Sequence, residues 1–228
     1  MALRRLKPGW YVLGALGLVL ALRFGTTPLA RRMSFFRVRR VELVGLRYGA
    51  PSPTLAALRI PRSLSTFDDL SAIARRARAL PGVARAEVSR RLPATLRVEL
   101  EERIPVAVAP GQGAMRLIDA RGRVLPFDPA RSAPDLPVAE SADPLVGQLL
   151  GRVQTLDPAL FDRVSAARRD EDDVVLEVNG RSFRFRPDAS QEEMQLVTAV
   201  EAQLAREGRS WKELDGRFAG QVIVRGRA

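Results

Sequence analysis

The chain of 228 residues is long enough for one or two globular domains, and its 46% hydrophobic and 28% charged residues argue against wholesale disorder. It contains no cysteine and no histidine, which excludes disulfides, thiolate nucleophiles, zinc fingers and every histidine-based catalytic triad. The formal net charge of +11 would ordinarily suggest a nucleic-acid partner.

The positive charge is concentrated at the amino-terminal end of the chain. Residues 1–40 contain nine basic residues and no acidic residue, whereas residues 41–228 contain 28 basic and 26 acidic residues. The excess therefore flanks one apolar segment, and the rest of the chain is nearly neutral. This distribution fits a membrane anchor better than a nucleic-acid-binding groove, so we expect no nucleic-acid partner.

The apolar segment covers residues 8–30 and contains a single charged residue, Arg23. About 20 apolar residues are needed to cross a bilayer, so the segment can span one if the Arg23 side chain reaches the headgroups. Trp10 and Tyr11 lie where an interfacial aromatic belt would be. The sequence therefore predicts a short cytoplasmic tail at residues 1–8 and a transmembrane anchor at residues 9–30.

A cleaved signal peptide is the alternative interpretation of this segment, because a basic start and an apolar core are common to both. No A-x-A-like cleavage site precedes Arg31, which favours an uncleaved anchor. The charges alone do not decide the orientation of the anchor in the membrane, because three basic residues precede the segment and five follow it within ten residues of Ala30. The positive-inside rule weakens when a large domain follows the anchor.

Residues 37–106 carry the pattern of a first domain in the order β-α-α-β-β. The predicted elements are a strand at Val38–Val44, a helix or turn at Pro53–Ile60, a helix with its N-cap at Ser65, and strands at Val83–Arg91 and Ala94–Glu102.

One face of the last of these strands is expected to be buried. Leu96, Val98 and Leu100 alternate with charged residues, which is typical of a sheet with one buried and one solvent-exposed face. We expect these three residues to pack against the helix carrying Ile73 and Ala77.

The stretches FRVRRVELVG and LPGVARAEVSRRLPATLRVELEERIPVA, at residues 36–45 and 80–107, resemble a POTRA domain, a periplasmic protein-docking module. A POTRA domain directly behind one amino-terminal anchor resembles the FtsQ/DivIB family of bacterial division proteins. Outer-membrane assembly factors also carry POTRA domains, but those precede a β-barrel, and this chain has neither the room nor the alternating pattern for one.

Residues 107–228 predict a second, mixed α/β domain with an antiparallel-rich sheet. The predicted elements are a hairpin at Met115–Phe127 turning at Asp119 to Gly122, a helix at Leu145–Leu156, a short helix from Asp157-Pro158, a hairpin of Asp173–Val178 with Ser182–Arg186 across Asn179-Gly180, and a helix from the Ser190–Glu193 capping box to Gly208. In that last helix Leu196, Val197, Val200 and Leu204 form the predicted buried stripe, with Met194 at its border.

Short matches extend the resemblance into this second domain. Asp119, Gly122 and Val124 are similar to the opening motif of the FtsQ-type β-domain, and LDGRFAGQVIVR at residues 214–225 is similar to its carboxy-terminal strand. The resemblance implies a non-catalytic inner-membrane scaffold with most of the chain in the periplasm and with partners of the FtsB and FtsL type. No cofactor is implied.

The terminal segment from Phe218 to Arg225 is the predicted partner site. It reads as a short apolar strand that can lie at a sheet edge, with one face buried; an ordinary core strand is the alternative. The resemblance favours an edge that accepts a partner strand, with Phe218 as an aromatic anchor. The predicted partner-binding residues are Phe218, Gln221, Val222, Ile223, Val224 and Arg225.

The chain offers no recognisable catalytic motif. It has no P-loop, no G-x-S-x-G and no G-x-G-x-x-G sequence. Its carboxylate clusters are at Asp68-Asp69, at Glu99, Glu101 and Glu102, and at Asp170–Asp173, and we interpret all three as solvated rather than metal-binding or acid–base sites. A POTRA-containing scaffold of a secretion or envelope-assembly complex is the alternative function.

Overall fold

The computed structural model describes residues 33–132 and 135–226, which divide into two units. Within the described residues, unit 1 comprises residues 33–46 and 50–101, and unit 2 comprises residues 47–49 and those from 102 onward. Both units combine helices with strand-rich sheets. The described residues include no helix that is long and apolar enough to cross a membrane. The predicted tail and anchor at residues 1–8 and 9–30 lie outside the described residues.

Unit 1 follows the predicted order of elements. A 3₁₀ turn at Ser34–Phe36 precedes β1 (Arg40–Val44), α1 (Pro51–Leu58), α2 (Ser71–Arg78), β2 (Val83–Arg91) and β3 (Thr95–Glu102). The sheet order is β1-β3-β2, with β1 parallel to β3.

The alternating pattern in β3 produces the predicted one-sided core. Leu96 and Val98 are completely buried, and they share one cluster with Ile73 and Ala77 of α2. Glu99, on the other face, is half-exposed and accepts a hydrogen bond from Arg97 at 2.5 Å. Burial of the apolar face, with the charged face in water, accounts for the position of this strand.

The start of α2 differs from its prediction. Ser65 does not cap the helix; its backbone N–H donates to Asp68 in a turn that precedes it. The helix begins at Ser71, whose backbone N–H and hydroxyl both donate to the Asp69 carboxylate, at 2.9 and 2.6 Å. Asp69 therefore supplies the acceptor that the first turn needs.

Unit 2 is one eight-stranded mixed sheet with helices. Its strands are β4 (Pro105–Pro110), β5 (Met115–Asp119), β6 (Val138–Ala139), β7 (Val164–Asp170), β8 (Asp173–Val178), β9 (Arg181–Phe185), β10 (Glu213–Phe218) and β11 (Gln221–Arg225). Its helices are α3 (Pro129–Ser132), α4 (Pro144–Leu156), α5 (Pro158–Phe161) and α6 (Gln191–Arg206). The sheet order is β11-β10-β9-β8-β7-β6-β4-β5. Pairs β10–β9, β7–β6 and β6–β4 are parallel, and the other neighbouring pairs are antiparallel.

Several local predictions in unit 2 are confirmed. Asn179 and Gly180 both have positive φ, at 53° and 75°, and they join β8 to β9 as the turn chemistry requires. Ser190 and Glu193 form a complete capping box at the start of α6. Helix α4 begins at Pro144, with Asp143 accepting from two backbone N–H groups of the first turn.

Other predictions in this unit are corrected. Met194, expected at the border of the stripe, is completely buried together with Val197, whereas Leu196 and Val200 are only half-buried. The expected Met115–Phe127 hairpin has one regular arm, because β5 takes β4 as its antiparallel partner and meets Val124 only through an isolated bridge.

Candidate functional site

The predicted partner segment folds as part of a hairpin and not as a single strand. Phe218 ends β10, Ala219 and Gly220 form the turn, and Gln221 to Arg225 form β11. Gly220 has φ of +72°, a conformation that glycine adopts without strain. A register shift between Asp215 and Phe218 separates the regular part of the β10–β11 pair from the turn.

β11 is at the edge of the sheet, as the sequence suggested. It pairs with β10 on one side, and among the described residues no strand pairs with its other side. An edge strand presents unpaired N–H and C=O groups that a further strand can bind.

The expected buried face of β11 is largely absent. Val222 is half-buried and packs against the core, but Ile223 and Val224 remain 41% and 39% exposed, and Phe218 is 45% exposed. Gln221 and Arg225 are also exposed. This short edge strand therefore leaves apolar side chains exposed on both of its faces, beside open main-chain groups.

The strand register shows that one face of the hairpin is apolar and the other carries charged groups. Leu214 faces Val224 and lies next to Phe183, on the apolar side of the sheet. Asp215 faces Ile223 and lies next to Arg184, on the opposite side. Ile223 therefore shares its face with charged groups, because neighbouring residues of a strand point to opposite faces.

These charged groups form a continuous network of ion pairs across the last five strands, from β7 to β11, which we call the ionic cluster. Its carboxylates are Asp170, Asp173, Glu213 and Asp215, and its cations are Arg184, Arg217 and Arg225.

Asp215 is the most buried member of the ionic cluster, with no exposed surface. It accepts hydrogen bonds at 2.8 Å from both Arg217 and Arg225, so one carboxylate ties β10 to the end of β11. Arg217 also donates to Asp173 at 2.7 Å, which links the hairpin to β8.

The network holds Asp215 in its charged form. Burial by itself raises the pKa of this carboxyl, but hydrogen bonds from the side chain and backbone of Arg217, with the charges of Arg217 and Arg225, outweigh burial. The pKa of Asp215 therefore lies below its ordinary value. The pKa of Arg217 is raised, mainly by its hydrogen bond to Asp215.

The sequence analysis did not predict the ionic cluster, although one local feature indicates part of it. Asp215 and Arg217 are two residues apart in a strand, which places them near each other on one face. Asp173 and Arg184 join them only through strand pairing, so their participation is decided by the fold.

Some of the carboxylates that were expected to be solvated form ion pairs or hydrogen bonds within the protein. Asp170 and Asp173 are paired within the ionic cluster, and Glu102 accepts from the backbone N–H groups of Arg47, Tyr48 and Gly49 at 2.6, 2.7 and 3.0 Å. The interpretation as solvated groups is therefore wrong for Asp170, Asp173 and Glu102, whereas Glu99 and Glu101 are exposed as expected. Within residues 33–132 and 135–226, no group of three or more acidic side chains is arranged to hold a metal ion.

Two family models match the chain. The model of the POTRA domain, FtsQ-type, matches residues 36–103, and that of the cell division protein FtsQ/DivIB, C-terminal, matches residues 107–217. The second match ends one residue before Phe218, so the predicted partner residues lie beyond it.

Among solved structures, the chain is similar to the major extracytoplasmic domain of the trans isomer of the cell division protein DivIB from Geobacillus stearothermophilus. The sequence identity is 18%, the similarity covers 46% of this chain and 97% of that chain, and the TM-score is 0.34. No curated protein matches the chain.

Proposed function

Because the chain belongs to the FtsQ/DivIB family of cell division proteins, we propose that it is a non-catalytic scaffold of the bacterial division machinery, linking early and late division proteins. The family match favours division over the alternative role in a secretion or envelope-assembly complex. On this proposal, depletion of the protein produces filaments, whereas an assembly role would produce envelope leakage without filamentation.

The proposed location is the inner membrane, with a single pass at residues 9–30 and the remainder of the chain in the periplasm. The apolar segment and the absence of an A-x-A-like site before Arg31 support this location.

We expect the mature protein to retain its amino-terminal segment. Mass analysis of the amino terminus of the membrane-bound protein is the measurement. A terminus near Arg31 would show that the segment is a cleaved signal peptide and would remove the anchor from the proposal.

The proposed partner site is the edge of β11, and the partners are division proteins of the FtsB and FtsL type. The observation that supports it is the open edge of β11 with exposed Phe218, Ile223 and Val224 beside it. An added partner strand would bond to the main chain of this edge, and the apolar side chains would contribute contact area. Pairing through main-chain groups tolerates changes of side chain but not loss of the edge.

We expect Ile223→Pro, or deletion from Gln221 onward, to abolish recruitment of an FtsB-type partner. Proline removes a backbone N–H and cannot continue the ladder. Ile223→Thr is the matched control, because it keeps the N–H and the β-branched shape while reducing apolar surface, and it should retain capture. Co-purification measures recruitment, and circular dichroism checks that each variant folds. Undiminished capture by the truncated protein would place the interface elsewhere.

Phe218 is expected to contribute as a single aromatic contact. We expect Phe218→Ala to weaken partner binding by about 2 kcal/mol or more if it anchors the interface. Val124→Ala, at another exposed apolar residue of unit 2, is the control and should leave affinity unchanged. Titration calorimetry with the purified partner measures both. Equal affinities for the two variants would exclude Phe218 from the interface.

A further inference from the structure

The two units differ in charge, although the chain beyond residue 40 is nearly neutral as a whole. Residues 33–46 and 50–101 of unit 1 contain 12 arginines and six acidic residues. Residues 47–49 and 102–226 of unit 2 contain 18 basic and 20 acidic residues. Unit 1 is therefore cationic, and a ligand of unit 1 that carries negative charge is electrostatically favoured.

Part of this positive charge surrounds a groove between β1 and α1. The groove has a volume of about 340 Å³. Its apolar lining includes Val41 and Ile60, both half-buried, and Leu55, which is 42% exposed. Three arginines, Arg39, Arg59 and Arg62, also line it.

These three arginines lack a carboxylate partner within the part of the chain that the structure describes. Among the described residues, the side chain of Arg39 donates only to the backbone carbonyl of Ser34, at 3.4 Å. Other arginines of unit 1 are paired: Arg91 with Glu42 and Arg97 with Glu99, at 3.4 and 2.5 Å. The groove thus combines apolar surface with uncompensated positive charge.

The backbone beside the groove is also unpaired. β1 is an edge strand that pairs with β3 on one side, and no described strand lies on its other side. Every second residue of such a strand directs its N–H and C=O away from the sheet. Main-chain groups, apolar surface and cations therefore occur together at one edge.

We propose that this groove binds an extended segment of a partner protein, with alternating acidic and apolar residues, as an added strand on β1. The acidic side chains would meet Arg39, Arg59 and Arg62, and the apolar ones would cover Val41, Leu55 and Ile60. An anionic membrane surface would use the arginines but not the open edge or the concave apolar lining. The site lies in unit 1 and is separate from the β11 edge, so it is a second docking surface beyond the proposed function.

Arg59 provides a variant that separates binding from folding. It terminates α1 with φ of +47°, a left-handed conformation that glycine adopts with less strain than any other residue. Arg59→Gly removes the cation and suits the backbone, so the fold should be retained. Asn179→Gly, at φ of +53° in the β8–β9 turn, is the matched control without a change of charge.

The experiment uses the full chain in neutral detergent and a fluorescent 12-residue peptide of alternating glutamate and valine, with binding followed by anisotropy. We expect Arg59→Gly to lower the affinity several-fold and Arg39→Glu/Arg62→Glu to lower it about tenfold or more at low salt, with both effects reduced by added salt. Asn179→Gly, and the charge-matched Arg75→Glu/Arg85→Glu on exposed residues elsewhere in unit 1, should bind the peptide as the parent chain does.

Main-chain pairing is tested on the peptide, which avoids any change to the protein. Methylation of alternate backbone nitrogens along one edge of the peptide should abolish binding, and methylation along the other edge should not. Equal binding of both methylated peptides would overturn the added-strand proposal. Displacement of the peptide by dihexanoylphosphatidylglycerol at equal charge would identify a lipid site instead, and equal affinity for a lysine–valine peptide would exclude recognition of acidic residues.

Discussion

Replacing Leu96 with aspartate is expected to unfold unit 1, with a loss of at least about 4 kcal/mol in its free energy of unfolding. Leu96 is completely buried near the start of β3, which is the central strand of its sheet, and it belongs to one apolar cluster with Ile73 and Ala77 of α2. An aspartate there has no cation within the apolar cluster, so it either loses its charge or brings water into the core. Either outcome removes the contacts that hold the helices on the sheet.

Glu99→Lys is the matched control for this prediction, because it lies three residues along the same strand on the wet face. It loses an exposed ion pair with Arg97, which is worth at most about 1 kcal/mol. Hydrogen exchange of the backbone amides between residues 83 and 102 measures both variants within unit 1. Similar exchange rates in the two variants would mean that β3 does not have one buried and one solvated face.

Asp215→Ala is expected to destabilise the end of the sheet in unit 2 by about 3 kcal/mol. The substitution removes the acceptor shared by Arg217 and Arg225, and it leaves Asp173 as the one remaining carboxylate that Arg217 contacts among the described residues. Asp172→Ala is the control, because the Asp172 side chain is almost fully exposed and makes only a 3.7 Å contact with Arg169. The Asp172→Ala substitution should change the free energy of unfolding by less than about 0.5 kcal/mol.

Fluorescence provides a direct measurement of this effect. The chain has two tryptophans, Trp10 and Trp211, and Trp211 is buried in unit 2 beside Phe183. In a Trp10→Phe background, urea unfolding followed by tryptophan emission reports on unit 2. A midpoint for Asp215→Ala equal to that for Asp172→Ala would show that the ionic cluster contributes nothing to stability.

The same carboxylate predicts a dependence on pH. Because the pKa of Asp215 is lower in the folded protein than its ordinary value of 3.8, its charged form stabilises the fold at pH values above that range. The contribution is lost as pH falls through the folded-state pKa. The difference in stability between the parent and Asp215→Ala should therefore be full at pH 7 and shrink in strongly acidic solution, and a constant difference would contradict this assignment.

Local sequence patterns correctly predicted the elements that depend only on residues close together in the chain. The alternation in β3, the Asn179-Gly180 turn and the Ser190–Glu193 capping box each depend on neighbours within a few residues, and the structure has them as expected. The resemblance of two longer stretches to the POTRA domain also depended on local sequence, and the family match confirms it.

A strand of the large sheet that lacks a periodic sequence pattern was harder to identify. β7 went unrecognised, because its sequence VSAARRD is neither alternating nor rich in β-branched residues. It lies between β6 and β8, where Val164 and Ala167 are buried and the arginines are half-exposed or exposed. Pairing with β6 and β8 stabilises its strand conformation. β8 begins only three residues after β7 ends.

The sequence by itself determined the family, the order of elements in unit 1 and the apolar character of the segment Phe218 to Arg225. Each of these depends on residue types and spacings along the chain. Only the tertiary structure decided that this segment is part of a hairpin, that most of its apolar side chains are left exposed, and that Asp173 and Arg184 belong to the same ionic cluster as Asp215. The physical reason is that exposure and ion pairing depend on which strands lie side by side, and strand order is set by contacts between residues far apart in the chain.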